Sequence, residues 1–337
     1  MIRKLIAPAL IAAIAVVVPG SSEVVRAQKT RFVRLATLAP RGTELYIEFK
    51  KFDRRLRKAT NNQWGVRIYA GGMAGDEKDM IRKMRVGQMD SAVITNVGLS
   101  QVVREVAVLD APGVIETYAQ LEAVQKEMNE EWEEMVLRKN FKLLSWWEAG
   151  QYRLFSKGTV QSLNDLRAHR VWLWPDSIIL KELWRAVGAN GVPLALPDVF
   201  GALETGMVDL LIATPVALVA LQWQRKLDHM SRYATGVLIM SWIMSKSSWD
   251  GLPPEAKAEI EKLVVKNTER AKKIARREDA AAYKKLLNRG YTEIIETPKQ
   301  HAEMEAIFAK VRKQLTGRVF PASLIKRVQG IASCVQR

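Results

Sequence analysis

Residues 163–224 read LNDLRAHRVWLWPDSIILKELWRAVGANGVPLALPDVFGALETGMVDLLIATPVALVALQWQ, and this stretch decides the fold. Two short β-like runs, residues 171–174 and 208–212, each end at a small turn and lead into a helical pattern. That is the repeating unit of a doubly wound α/β sheet. Ligands of such sheets sit just beyond the carboxyl ends of the strands. Trp172 and Trp174 close the first run, Leu196 follows the run at 192–195, and Thr214 follows the last. All four are therefore expected at one crevice.

A chain of 337 residues exceeds the size at which one hydrophobic core stops growing, so two domains are expected. With 48% apolar and 26% charged residues it reads as globular, neither disordered nor wholly membrane-embedded. Its one cysteine, Cys334, excludes an intrachain disulfide framework and a cysteine metal site. At the N-terminus Arg3 and Lys4 precede an apolar run over 5–18, and Val25-Arg26-Ala27 resembles a signal-peptidase site before Gln28. Residues 1–27 are thus expected to be a cleaved signal peptide, giving an exported, periplasmic protein. The net charge of +16 invites a nucleic-acid reading. Its Lys and Arg residues are interleaved with Glu255, Glu259, Glu261, Glu269 and Glu278, however, as on a solvated helix face, so no nucleic-acid partner is expected.

Working outward, residues 32–37 read as a strand, 38–42 as a turn and 43–60 as a helix with Leu45, Phe49, Phe52 and Leu56 on its buried face. Asn61 and Asn62 stop that helix before a strand at 64–69. The stretch YAGGMAGDEKDMIRKMRVGQMDSAVIT (69–95) carries glycines, but their spacing matches no phosphate-binding fingerprint. It reads as a glycine turn, a helix opened by Asp76 and Glu77, and a strand at 91–95. A helix at 120–139 leads to an alternating run at 142–156, expected to be a long strand shared between lobes, and 236–245 crosses back. Residues 254–288 form one nearly continuous helix, roughly 50 Å long at 1.5 Å per residue, which must lie across both lobes. Helices at about 298–315 and 322–334 end the chain.

The TLAP turn, YAGGMAGDEKDMIRKMRVGQMDSA, SLNDLRAHRVW, PLALPDVFGALETGMVD and SSWDGLPPEAKAEI, in that order, resemble the DctP-type solute-binding subunits of TRAP transporters. The resemblance implies an α/β, two-lobed periplasmic binding protein fold, each lobe a mostly parallel sheet flanked by helices, with a long helix spanning both. The expected division is 28–148 plus about 237–280 for lobe I, and about 149–236 plus 281–337 for lobe II. It also implies a small-molecule ligand, membrane permease subunits as partners, and no cofactor.

The same resemblance implies a departure at the site. Carboxylate-binding members carry an arginine after a DLKGLK-type stretch, and alignment with DLRAHRVW puts Trp172 in its place. Pocket positions of the family become Leu38, Thr95, Leu196 (an aromatic in the family) and Thr214, and Glu77 alone keeps its charge. A pocket of Trp172, Trp174, Leu38, Leu196 and Trp147 is expected to prefer a hydrophobic or aromatic ligand. Of the two tryptophans in the W-x-W pair, only Trp172 is expected to face the crevice. Arg153 or Arg170 would restore a carboxylate clamp in the alternative reading, with the register at Arg153 open by one residue. A ligand-sensing subunit of a signalling system is a further alternative, and a periplasmic tetratricopeptide-repeat protein accompanies some members that lack the arginine. Catalysis is not expected: His169, His229 and His301 lack metal-ligand spacing, no G-x-S-x-G is present, and Asp76 and Glu77 have no evident catalytic partner.

Overall fold

The computed structural model describes residues 30–335, so the expected signal segment lies outside the described residues. The first lobe is built from β1 (Arg31–Thr37), α1 (Glu44–Ala59), β2 (Trp64–Tyr69), α2 (Glu77–Arg85), β3 (Ser91–Thr95), α3 (Asn96–Ser100) and α4 (Tyr118–Arg138). The long strand β4 (Phe141–Ser156) then enters the second lobe, which contains α5 (Leu163–Ala168), β5 (Arg170–Leu173), α6 (Ile178–Val187), β6 (Asn190–Pro193), α7 (Val199–Thr205), β7 (Leu210–Ala213), α8 (Pro215–Ala220) and β8 (His229–Ser231). The chain returns through β9 (Gly236–Ser245), α9 (Lys246–Asp250) and α10 (Pro254–Asn288), and ends with β10 (Thr292–Ile294), α11 (Pro298–Leu315) and α12 (Ala322–Ser333).

The strands run in the order β2-β1-β3-β9-β4-β7-β5-β6, with β8 and β10 paired off this path. Pairing is parallel inside each lobe, β1 with β2 and β3, and β5 with β6 and β7. It turns antiparallel where β9 meets β3 and where β4 meets β9 and β7. Local chemistry explains the element ends. Thr43 caps α1 through a bond from the Tyr46 amide at 3.3 Å. Asn61 and Asn62 stop it by taking positive φ of 48° and 61°.

Each half of the sheet is covered on both faces. On one face of the first lobe Phe49, Phe52 and Leu56 of α1 pack with Trp242 of β9 and with Ile260, Leu263 and Val264 of α10. At its other end α10 places Leu286 in a cluster with Phe155, Leu218 and Trp223 of the second lobe. The long helix therefore has one end in each core, as its length requires. The C-terminal helix α12, expected in the second lobe, instead packs on α4, with Arg327 paired to Glu131.

Polar contacts fix α10 to the strand that joins the lobes. Glu148 on β4 is fully buried, and Arg276 Nε of α10 donates to its Oε1 at 2.6 Å while also pairing with Glu122. Three residues along the helix, Asp279 accepts the Gln151 amide and the Val216 amide, both at 3.1 Å. Between them Gly150 adopts φ +120°, where a β-carbon would lie 2.7 Å from Asp279 Oδ1 and 2.8 Å from Thr214 Cβ. Only glycine fits that kink. Removing one partner of a buried ion pair leaves an uncompensated charge, which costs several kcal/mol. Arg276→Met should therefore lower the unfolding free energy by about 3 kcal/mol in urea titration, and Glu148→Gln in the same chain should recover most of the loss. An Arg276→Met protein as stable as its parent would show that the pair holds nothing together.

Candidate functional site

A cavity of about 250 Å³ lies between the lobes, beyond the carboxyl ends of β3, β5 and β7. Of the nine residues expected at the site, Thr95, Trp172, Trp174, Leu196 and Thr214 line it; Leu38, Glu77, Trp147 and Arg153 do not. The tryptophan expectation needs correction. Residues two apart on a strand share a face, and both Trp172 and Trp174 reach the cavity, their rings stacked at 5.7 Å and 26°. Trp223, from the turn after α8, meets Trp172 edge-on at 5.4 Å.

The polar handles of this wall are taken by the protein itself. Trp172 Nε1 donates to the Leu194 carbonyl at 3.0 Å, Trp184 Nε1 to the Trp172 carbonyl at 3.1 Å, and Trp174 Nε1 to Asp76 Oδ2 at 2.9 Å. Two of the wall threonines are helix caps: Thr95 Oγ1 accepts the Val97 amide and Thr214 Oγ1 the Ala217 amide, each at 3.2 Å. What remains for a ligand is mostly ring and methyl carbon.

Glu77 acts one layer behind. Its carboxylate accepts the Thr95 amide at 2.6 Å, the Thr95 hydroxyl at 2.8 Å and the Gly98 amide at 2.8 Å. Gly98 permits that approach, since a β-carbon there would sit 2.6 Å from Glu77 Oε2. Burial pushes the carboxyl up to about 8, against the three hydrogen bonds, which favour the charged form. Glu77 therefore orients Thr95 and does not meet the cavity.

The remaining expectations fail for reasons of facing. Trp147 is 2% exposed and packs with Leu35, Val93 and Met240 in the first-lobe core. Leu38 is half-buried beside Gly72 and touches the edge of the core clusters. On β4 it is Tyr152 and Leu154 that face the cavity, so Arg153 points to the other side. There its guanidinium lies 4.5 Å from the Tyr283 ring and donates to the Ser231 carbonyl at 3.1 Å and to the Arg232 carbonyl. Arg170 is on the surface, where Nη2 and Nε grip Asp209 at 2.7 and 2.9 Å. Neither arginine supplies a carboxylate clamp.

Sequence reasoning missed Asp76 as a bridge. It caps α2 by accepting the Glu77 amide at 2.8 Å, and its Oδ2 also takes the Trp174 indole and, at 3.4 Å, the Leu196 amide of the opposite lobe. Burial raises its pKa. Gln101 Nε2 adds a bond to the Asp176 carbonyl at 3.1 Å. The lobes are thus in contact across the cleft. The helix-cap pattern signalled Asp76, but nothing local signals a partner 98 positions away. Tyr152, Asp110 and Trp223, also in the wall, were missed as well.

Among the described residues no group of His, Cys, Asp and Glu is arranged to hold a metal ion, and no helix is long and apolar enough to cross a membrane. Comparison with known proteins agrees with the fold. The C4-dicarboxylate-binding periplasmic protein DctP of Rhodobacter capsulatus is 26% identical over 280 residues, covering 80% of this chain and 81% of that protein. A TRAP periplasmic solute-binding protein of Pseudomonas putida F1 with bound D-glucuronate superposes with a TM-score of 0.81 at 22% identity, over 91% of this chain and 98% of that one. The sugar acid binding protein DctPAm of Advenella mimigardefordensis, in complex with galactonate, gives 0.84 at 16% identity, over 91% and 99%. The profile of the bacterial extracellular solute-binding proteins, family 7 (DctP), matches residues 35–317, and the chain belongs to that family of receptors, the DctP-type subunits of TRAP transporters.

Proposed function

We propose that this receptor captures a hydrophobic or aromatic small molecule by closure of its lobes and delivers it to the membrane permease subunits of its transporter. One observation carries the reading: no lysine or arginine is among the residues that line the cavity. The solved neighbours hold D-glucuronate and galactonate, which are carboxylates. Burying a carboxylate without a partner costs several kcal/mol. Apolar surface against the Trp172, Trp174 and Trp223 rings instead contributes about 25 cal/mol per Å². The lobes move as 28–148 with about 237–280 and α12 against about 149–236 with about 281–315, hinged at Gly150 and braced by α10. The protein is exported by cleavage of residues 1–27, and a periplasmic tetratricopeptide-repeat protein is a further partner, supported by Trp172 at the arginine's position.

Trp172→Ala, if it melts normally, should weaken binding of the ligand recovered from the native host by a few kcal/mol in calorimetry, the scale for truncating a packed aromatic contact. Trp172→Arg should be worse, because it removes the ring and sets a charged side chain against the neighbouring Trp174 and Trp223 rings in the space an apolar ligand fills; tight binding retained by Trp172→Arg would refute the apolar reading. Trp174→Phe keeps the ring but removes the donor to Asp76, so affinity should fall about tenfold, equal to one hydrogen bond of about 1.4 kcal/mol. Small-angle scattering should then show less contraction with ligand than in the parent protein. N-terminal sequencing of periplasmic material should begin at or close to Gln28, and recovery of Met1 in the membrane fraction would contradict export by cleavage.

A further inference from the structure

Resting on that reading, one wall residue remains without a use in it. Asp110 lies at the end of a 3-10 turn (Arg104–Asp110), where the apolar run Val106, Ala107, Val108 and Leu109 turns inward to the first-lobe core. It lines the cavity, yet its Oδ1 is shielded from water and has no hydrogen-bond partner. The Asn96 side chain is its hydrogen-bonding neighbour, and Asn96 Oδ1 also lacks a donor, while Asn96 Nδ2 is held by the Val106 carbonyl at 2.9 Å. A buried carboxylate oxygen in the cavity wall, with a second unpaired oxygen on the Asn96 side chain behind it, thus calls for a donor that the protein does not supply.

The surroundings limit what can supply them. The other ionisable groups in the wall are Glu116, Glu296, Glu303, Glu305, His301 and tyrosines. The charged side chains of the wall are therefore mainly acidic, and the faces of Trp172, Trp174 and Tyr152 attract cations. We propose that the cavity selects ligands that carry a protonated amine on an apolar or aromatic body, with Asp110 receiving the ammonium. Burial pushes the Asp110 carboxyl up to about 7, opposed by its bond to Asn96, so the empty site holds a poorly stabilised acid. An ammonium removes that cost, and a carboxylate adds to it.

The experiment uses the mature chain and two sets of probes, each with one body and three head groups: tryptamine, 3-ethylindole and indole-3-propionate; octylamine, octane-1-ol and octanoate. On whichever body binds, the amine should bind at least tenfold more tightly than the neutral probe, and the carboxylate most weakly. Asp110→Asn preserves shape and removes the charge. It should bring the amine within twofold of the neutral probe, and a single cooperative thermal transition like the parent's certifies that the variant is folded. A carboxylate that binds as well as the amine, or an amine preference that survives Asp110→Asn, overturns this assignment and leaves the apolar cavity standing. Failure of all six probes to bind overturns the apolar reading and this inference with it.

Discussion

The placement of every wall residue depends on the angle at which β4 and β9 cross from one lobe to the other. These strands pair antiparallel along most of their length, with an irregularity between Glu148 and Gln151. At that point the ladder is interrupted, and the backbone must be held by something else. Arg276 and Asp279, one turn apart on α10, do this: the first neutralises buried Glu148, and the second takes the amides of Gln151 and Val216. Asp279 therefore ties the kink in β4 to the start of α8, which Thr214 caps. A shift of α10 along its axis would move β4 and the Thr214 turn together. The long helix does more than span the lobes; it sets the register between the joining strand and the cavity wall.

Much of this frame was legible from periodicity. The helix at 254–288 and the strand at 236–245 have the bounds expected, because a 35-residue amphipathic run and a ten-residue apolar run bounded by turn signals admit few alternatives. The crevice residues Thr95, Trp172, Trp174, Leu196 and Thr214 follow from a rule about strand ends, which needs topology alone.

What was illegible has a common cause. Choosing between Tyr152 and Arg153 requires the phase of β4 relative to its partners, and one residue of phase reverses the face. The bulge in β4 shifts that phase along the strand, so counting from either end misleads. Asp110 carries no local pattern at all: it is a single acid after an apolar turn, and its meaning comes from what fails to bond to it. Asp76 reads correctly as a helix cap, but its second carboxylate oxygen is used by the opposite lobe, a relation written only in three dimensions.

The Asp76 bridge also bears on how such a receptor closes. A carboxylate held by donors from both lobes links them through its own charge, so closure and recognition are one event. Here the link across the cleft belongs to the protein, from Asp76 Oδ2 to the Trp174 indole and the Leu196 amide. Burial raises the pKa of this carboxyl, and those donors oppose the shift by favouring its charged form. On the proposed reading the ligand then contributes apolar contact with rings whose N–H groups are already satisfied, and closure is driven by removing that surface from water. On that reading closure, as distinct from selection of the ligand, passes from a charge that bridges the lobes to a shape that fills the space between them, and the bridging hydrogen bonds need no help from the ligand's own chemistry.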